Sequence, residues 1–261
     1  MNAYVHFEDR RYSFSDRITY AVQRLILINT AAFVVQLLLD IPFGGSVAEF
    51  APPGGMVVAF LGFQPVAFLN GALWKPITYM FLHGGLLHLF LNMLWLYFFG
   101  PEVEHALGTR QFLRFYFLCG MLGVLFTFIP LLLWGESVSV FGASGAVMGV
   151  MVAYAMINPE REFFLFPLPI PINARALVII VIAMNILSAA QGGTTSVATH
   201  FGGMIVGFAY MKLVPQLRKW QRIKWRTAPS KTTTERDPTN AVGEAVDNIF
   251  KFEERKRKHW D

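Results

Sequence analysis

The chain has 261 residues, of which 54% are hydrophobic and only 15% are charged. Soluble domains carry about a quarter charged residues, so the composition excludes an ordinary soluble domain and indicates an integral membrane protein. The single cysteine excludes an intrachain disulfide. The formal net charge of +5 comes from basic residues beside the apolar segments and at the chain ends, which favours anionic lipid headgroups over nucleic acid as the partner.

Six apolar segments follow one another along the chain and predict six transmembrane helices in an all-α bundle. Residues 1–19 precede them as a polar cytoplasmic segment that lacks the apolar core of a cleavable signal peptide. A membrane domain is therefore predicted over residues 20–214 and a basic cytoplasmic tail over residues 215–261, with a short amphipathic helix at residues 241–258. We place the six helices at residues 20–40, 84–101, 110–134, 144–157, 175–190 and 198–214.

The links between these helices predict how the chain is oriented. Basic residues precede the first helix, lie in the second-to-third and fourth-to-fifth links, and follow the sixth helix, whereas the other three links contain only Lys75. The positive-inside rule then places both termini in the cytoplasm and the N-terminal ends of helices two, four and six at the outer face. The long apolar link 42–83 is expected to be partly embedded at that face. The small, polar link 191–197 is either a mobile lid or a plain surface loop.

Polar side chains gather at this predicted outer end. Ser144 opens helix four, His200 lies early in helix six, and His88 and Asn92 share one face of helix two. Polar groups are costly in lipid, so an intramembrane cluster of them is a functional-site hypothesis. A serine hydroxyl becomes a nucleophile when a neighbouring base takes its proton. The sequence therefore predicts a Ser144–His200 catalytic dyad.

An attacking serine also needs hydrogen-bond donors for the oxyanion that it creates. We expect these from the backbone N–H of Ser144, at a helix N-terminus, and from the side chains of His88 and Asn92. The alternative is that His88 and Asn92 only bond between helices and hold the bundle together. Glu136 is interpreted as a solvated loop charge, so no carboxylate is expected to orient the base. No metal or other cofactor is expected, because His83 and His88 have no acidic or cysteine partner at a ligand spacing.

Two glycine pairs predict close contact between helices four and six. Gly145 and Gly149 are four residues apart, as are Gly203 and Gly207, and small residues at that spacing let two backbones approach closely in lipid. Such contact would bring the serine and the histidine within hydrogen-bond range. The alternative is ordinary helix packing without chemistry.

In this order, the motifs resemble those of the rhomboid family of intramembrane serine proteases, of the bacterial type. The resemblance covers about residues 20–214 and implies a six-helix bundle with an embedded outer loop. It also implies a cofactor-free serine endopeptidase that cleaves single-span membrane proteins near the outer ends of their transmembrane segments. The matching segments are Gly142-Ala143-Ser144-Gly145, His83 with His88 and Asn92, Gly100-Pro101-Glu102-Val103-Glu104 through Gly108, and His200-Phe201-Gly202-Gly203 through Gly207.

The resemblance assigns a role to each matching position. It implies that Ser144 is the nucleophile, His200 the general base and Glu104 a structural carboxylate, with His88 and Asn92 on the oxyanion side. Two positions depart from the family pattern. Met148 stands where an aromatic residue often packs on the catalytic histidine, and a thioether still packs on an imidazole. In the outer loop, the pair Trp74-Lys75 stands where many members carry Trp-Arg, so the charge is kept and the bidentate geometry of arginine is lost.

Two other functions remain open from the sequence. A catalytically inactive rhomboid-like protein would bind membrane proteins, but such relatives typically lack the serine or the histidine. A transporter or channel would carry polar residues deep in several helices, whereas here they cluster at one end. We therefore rank an active protease first, with transmembrane protein substrates and membrane lipids as its partners. A prokaryotic inner membrane is the expected location.

Overall fold

The structure is a computed structural model that describes residues 18–40, 55–135, 137, 139–164, 171–191 and 194–227. Within these residues the chain is mostly helical, with one small sheet. It divides after Val214 into two compact units, and the site discussed below lies in the first. The helices are α1 (Tyr20–Asp40), α2 (Met56–Leu61), α3 (Pro65–Leu69), α4 (Lys75–Thr78), α5 (Leu86–Leu107), α6 (Thr109–Val124), α7 (Phe128–Trp134), α8 (Ser144–Ile157), α9 (Ala174–Ala190) and α10 (Thr194–Thr227).

A helix lies at each of the six positions predicted to cross the membrane. Among the described residues, four helical stretches are long and apolar enough to span a bilayer: Tyr20–Asp40, Leu86–Leu107, Thr109–Trp134 and Val197–Val214. The third comprises α6, a 3₁₀-helix at Leu125–Thr127 and α7. The other two, α8 and α9, are apolar but shorter. The chain is therefore a multi-pass integral membrane protein.

Helix α8 forms the centre of the buried core. It packs mainly against α5 and α6 and also against α9. Four of the nine buried residues of α8 are glycine or alanine, and Ala146 and Ala153 are completely inaccessible, so neighbouring backbones approach it closely. At its C-terminal half the aromatic ring of Tyr154 lies 4.9 Å from that of Phe99 on α5. This tight packing gives the first residue of α8 a fixed position.

Glu104, the predicted structural carboxylate, joins α5 to the start of α1. Its carboxylate accepts hydrogen bonds from the backbone N–H groups of Ala21 and Val22, each at 3.1 Å, and from the Thr19 hydroxyl. The Thr109 hydroxyl donates to it as well, at 2.7 Å. The first N–H groups of a helix have no intrahelical acceptor, and an anion is favoured there by the helix dipole. Glu104 therefore caps α1 from another helix.

In the described part of the link before α5, side chains of α4 and of the residue before it hold the end of α2. The Lys75 ammonium donates to the carbonyl oxygens of Ala59 at 2.7 Å and Gly62 at 2.9 Å. The Trp74 indole N–H donates to the carbonyl of Phe60 at 3.1 Å. These carbonyls lie at the C-terminal end of α2, where no intrahelical donors remain. Burial lowers the pKa of Lys75, but the ammonium still makes two bonds, so a lysine anchors this loop.

The structure departs from a purely α-helical prediction in the link between α8 and α9. Strands β1 (Glu162–Phe164) and β2 (Pro171–Asn173) form a two-stranded antiparallel sheet in which Phe163 pairs with Ile172. Aromatic and β-branched residues favour paired strands, and this pattern is too short to be recognised from the sequence alone. Asn173 ends β2 and also caps α9, because its side-chain oxygen accepts from the Ala176 N–H at 2.8 Å.

The sixth predicted helix also has different limits from those expected. Helix α10 begins at Thr194, so residues 194–197 are helical rather than part of a loop. It ends at Thr227, beyond the predicted end at residue 214. The amphipathic helix predicted at residues 241–258 lies outside the described residues.

Candidate active site

The loop before α8 places Ser144 at the first residue of that helix. Gly142 adopts a φ of +118°, which side chains rarely tolerate, and its N–H donates to the carbonyl of Tyr79 at 2.9 Å. A Cβ at Gly142 would also lie 2.8 Å from a ring carbon of His88. Glycine is therefore required at residue 142 for two reasons: the backbone conformation and the closeness of the His88 ring. The turn that it makes directs the chain into α8 at the serine.

The glycines predicted to bring α8 and α10 together do lie at their contact. A Cβ at Gly203 would come within 1.9 Å of the carbonyl oxygen of Gly145, and a Cβ at Gly207 within 2.8 Å of the Cα of Gly149. Neither distance is possible for a real side chain, so the two backbones touch only because Gly203 and Gly207 carry no Cβ. This contact fixes the separation of the helices next to Ser144.

Ser144 and His200 form a hydrogen bond across this helix contact. The His200 Nε2 lies 2.8 Å from the Ser144 Oγ, which is a normal distance for a strong hydrogen bond. Both side chains are partly buried. A nucleophile and a base at this separation are arranged for proton transfer.

A third side chain, Asn185 of α9, completes a chain of hydrogen bonds that the sequence does not predict. Its Oδ1 lies 2.7 Å from the Nδ1 of His200. Its Nδ2 donates to the carbonyl of Val181 at 2.8 Å, one turn earlier in the same helix. Asn185 is 8% exposed, so its amide is held away from solvent. In this site, hydrogen bonds therefore link Ser144 to His200 and His200 to Asn185.

The sequence contains a signal that would have identified Asn185. Helix α9 runs antiparallel to its neighbours in the predicted topology, so its C-terminal end reaches the level at which α8 and α10 begin. Asn185 lies five residues before Ala190, the last residue of α9, and is an amide within an apolar segment. A search limited to carboxylates as the orienting group overlooks it.

His88 and Asn92 lie on α5 beside the same turn. The Gly84 N–H donates to the Nδ1 of His88 at 3.3 Å, so the proton of a neutral ring is on Nε2. A Cβ at Gly142 would lie 3.0 Å from that nitrogen, which places Nε2 next to the loop that leads to Ser144. Asn92 donates one N–H to the carbonyl of His88 at 2.9 Å. Its amide has a second N–H.

His83 is buried behind His88, with their ring centroids 5.3 Å apart. The side chain of Gln36 holds its backbone from α1, donating to the His83 carbonyl at 2.9 Å and accepting from its N–H at 3.0 Å. Neither ring nitrogen of His83 has a hydrogen-bond partner among the described residues. Its position is thus set through the main chain rather than through the ring.

The remaining predicted site residues lie outside the hydrogen-bonded chain. Met148 is partly buried against the core one turn after the serine. Trp74 and Glu104 serve the loop and helix contacts described above. Within the part of the chain that the structure describes, no group of three metal-ligating side chains occurs, and Glu136 lies outside that part.

The fold and site define a multi-pass helical membrane protein in which a serine and a histidine meet at helix ends. Comparison with known proteins identifies the family. The sequence matches the Rhomboid domain over residues 70–216, which is more than half of the chain. The protein belongs to the rhomboid family, and the resemblance seen in its motifs is confirmed.

Several curated relatives are similar to this chain. "Rhomboid-like protease 3" of Toxoplasma gondii is 30% identical over 165 residues, which is 60% of this chain and 59% of the relative. "Rhomboid protease GlpG" of Haemophilus influenzae is 26% identical over 151 residues, 58% of this chain and 74% of the relative. "Inactive RHOMBOID-like protein 8" of Arabidopsis thaliana is 34% identical over 87 residues, 31% of this chain and 24% of the relative. The chain matches from about a quarter to three quarters of these relatives' lengths.

Proposed function

We propose that the protein is an intramembrane serine endopeptidase that cleaves single-span membrane proteins near the outer side of their transmembrane segments. The observation that carries this proposal is the 2.8 Å hydrogen bond between the Ser144 Oγ and the His200 Nε2. Family membership supports it, because the Rhomboid domain matches residues 70–216, which contain both residues, and similar proteins are named as rhomboid proteases. Transmembrane protein substrates and membrane lipids are the proposed partners.

The proposed reaction needs no cofactor and follows from the positions of these two side chains. As the Ser144 Oγ attacks the substrate carbonyl carbon, its proton passes to the Nε2 of His200, and a tetrahedral intermediate forms. The resulting imidazolium then protonates the leaving amine, the carbon–nitrogen bond breaks, and an acyl-enzyme remains on Ser144. A water molecule then gives a proton to His200 as its oxygen attacks the ester carbonyl carbon. The ester carbon–oxygen bond breaks, the carboxylic acid leaves, and His200 returns the proton to the Ser144 Oγ, which restores the serine hydroxyl.

In this proposal, hydrogen-bond donors on α8 and α5 stabilise the negative charge of the tetrahedral intermediate. The N–H of Ser144 is at the N-terminus of α8, where N–H groups have no intrahelical acceptor and the dipole favours an anion. His88 supplies its Nε2–H, and Asn92 supplies the N–H that is not used on its own helix. Donors fixed in advance stabilise a developing oxyanion strongly, because they need no reorganisation during the reaction.

We propose that six helices cross the membrane and that both termini are cytoplasmic. Helix α8 has 14 residues, or about 21 Å at 1.5 Å per residue. With its inner end at the boundary of a hydrocarbon layer about 30 Å thick, Ser144 would lie below the outer surface. The segment containing α2 to α4 is the proposed embedded outer loop, residues 20–214 the protease domain and residues 215–261 a cytoplasmic tail. A prokaryotic inner membrane is the proposed location.

The test is cleavage of a model single-span substrate by the full chain in liposomes. We expect wild type to cut it, and Ser144→Ala and His200→Ala to lose cleavage while keeping the melting temperature of wild type. Ile205→Ala is the control, because this side chain is 51% exposed on α10. Unchanged cleavage by Ser144→Ala would refute the proposal.

The second candidate is a catalytically inactive protein that binds membrane proteins. One relative carries the word "inactive" in its name, which keeps this candidate open for the family. Ser144 and His200 are both present here and are hydrogen-bonded to each other, which favours an active protease over an inactive binding protein. Association of wild type with a membrane protein that it never cleaves would support the second candidate.

A further inference from the structure

We propose that Asn185 is a positioning residue that holds His200 in the tautomer able to accept the serine proton, so that the site works as a Ser144–His200–Asn185 chain. This inference rests on the proposed protease function and extends it. The contact that carries it is the 2.7 Å separation between the Asn185 Oδ1 and the His200 Nδ1.

The hydrogen bonds of the asparagine amide fix which way it faces. Its Nδ2 lies 2.8 Å from the Val181 carbonyl, and a carbonyl oxygen accepts only from a donor. Rotating the amide by half a turn would bring Oδ1 against that oxygen, two acceptors with no hydrogen between them. The bonded orientation therefore presents Oδ1, an acceptor, to the histidine ring.

An acceptor at Nδ1 determines where the proton of the neutral ring lies. Nδ1 must carry the hydrogen that Oδ1 accepts, so Nε2 has the free lone pair. That lone pair faces the Ser144 hydroxyl at 2.8 Å, and the hydroxyl donates to it. The opposite tautomer would put an N–H toward the serine and could not take its proton, so the orientation of one amide selects the competent base.

The same bond strengthens as the reaction proceeds. When His200 takes the serine proton, the ring becomes positively charged and its Nδ1–H bond to Asn185 becomes charge-assisted. Relative to the neutral bond, a charge-assisted bond gains about 1–1.5 kcal/mol, which corresponds to a change in rate of roughly 5- to 10-fold, and loss of the competent tautomer adds to it. The contribution arises mainly in the transition state, so its loss should lower kcat rather than raise KM.

A purely structural role for Asn185 predicts something different. A polar side chain that only links α9 to α10 would contribute to the stability of the fold and not to the reaction. Its removal would lower the melting temperature and leave both the tautomer and kcat of the folded fraction unchanged. The tautomer of His200 therefore separates the two roles.

The first experiment compares Asn185→Leu and Asn185→Asp in the full chain in liposomes. Leucine has nearly the shape of asparagine without the acceptor, and we expect kcat to fall by roughly 10- to 100-fold with KM within about twofold. Aspartate keeps an acceptor for Nδ1 but loses the hydrogen bond to the Val181 carbonyl, and we expect its kcat to exceed that of Asn185→Leu by at least about threefold. Met184→Leu, at an adjacent residue that is 65% exposed, is the matched control and should behave as wild type.

The second experiment reads the tautomer directly from the ¹⁵N signals of histidine-labelled protein in liposomes. The six histidines give signals that are assigned by difference from His200→Gln. We expect a protonated Nδ1 and an unprotonated Nε2 at His200 in wild type and Asn185→Asp, and a shift toward the Nε2–H form in Asn185→Leu. This measurement on wild type remains decisive if Asn185→Leu fails to fold.

The outcomes separate this inference from the proposed function. Loss of cleavage in Ser144→Ala together with wild-type kcat in Asn185→Leu would overturn the role of Asn185 alone. An unprotonated Nδ1 at His200 in wild type would also overturn it. Cleavage that survives Ser144→Ala would overturn the protease proposal instead, and the tautomer measurement would still report whether Asn185 orients the ring.

Discussion

Replacing Gly203 with alanine should inactivate the protein by moving two helices apart. The new Cβ would lie 1.9 Å from the carbonyl oxygen of Gly145, and ordinary contact begins at 3.4 Å, so α8 and α10 must separate by about 1.5 Å (3.4 − 1.9) along that line. Ser144 is the residue before Gly145, and His200 is one turn before Gly203. The separation is therefore introduced next to the bond between the serine and the histidine.

The geometry gives the size of the effect. If the whole shift reached it, the 2.8 Å Ser144–His200 separation would grow to about 4.3 Å, and if half did, to about 3.5 Å, both too long for proton transfer. Misplacement of a reacting group by about 1 Å costs roughly 100-fold in rate. We therefore expect Gly203→Ala to lower kcat on the order of 100-fold.

The assay is cleavage of the model substrate in liposomes, with thermal melting to verify that the variant is folded. Ile205→Ala is the matched control, because it lies two residues away on the lipid-exposed side of the same helix. A folded Gly203→Ala protein with kcat close to that of wild type would refute the reasoning. It would mean that the glycine contact does not set the distance between the serine and the histidine.

Three further substitutions test separate parts of the account. Lys75→Met removes both hydrogen bonds to the end of α2 and should destabilise the protein by about 2–4 kcal/mol. The melting temperature should fall in Lys75→Met and be restored in Lys75→Arg. An unchanged melting temperature in Lys75→Met would argue against Lys75 as the anchor of this loop. Glu104→Gln keeps the shape but weakens four hydrogen bonds, so a loss of about 1–3 kcal/mol is expected, and no loss in thermal melting would contradict the capping role. Met148→Ala should lower kcat less than Asn185→Leu does, because Asn185 already holds the His200 ring. A larger fall in kcat for Met148→Ala than for Asn185→Leu would assign the positioning of His200 to Met148.

The helices and the meeting of Ser144 with His200 could be predicted from the sequence because both follow from coarse rules. Apolar length locates the helices, and the distribution of basic residues orders their directions. Glycines at a spacing of four identify the faces that touch. In the structure these glycines lie at the contact of α8 with α10, directly beside the bonded pair. None of these rules depends on the orientation of a particular side chain.

The role of Asn185 depends on such an orientation and could not be derived in the same way. Whether an asparagine in a helix bonds to its own backbone or to a neighbour is decided by the rotamer and by the packing of adjacent helices. The same holds for Gln36, which grips the backbone of His83 from another helix. For both residues, the position in an apolar segment predicts the level along the helix bundle. The hydrogen-bond partner follows only from the three-dimensional packing.

The sequence does not predict the small sheet or the anchoring of the link before α5, for a different reason. Strands of three residues are shorter than any window over which periodicity can be recognised. The two bonds of Lys75 go to main-chain carbonyls, which are present at every residue and carry no sequence signal. A lysine in place of arginine predicts the loss of a bidentate fork, yet two separate carbonyls at a helix end suit an ammonium equally well.

Labelling with a fluorophosphonate probe is the most direct test of the central claim, because it needs no natural substrate and reports only on an activated serine. We expect the full chain in liposomes to form a covalent adduct that mass spectrometry locates on Ser144. Labelling should be absent in Ser144→Ala and strongly reduced in His200→Ala. An adduct on another residue, or undiminished labelling of the Ser144→Ala variant, would contradict the assignment of this serine as the nucleophile.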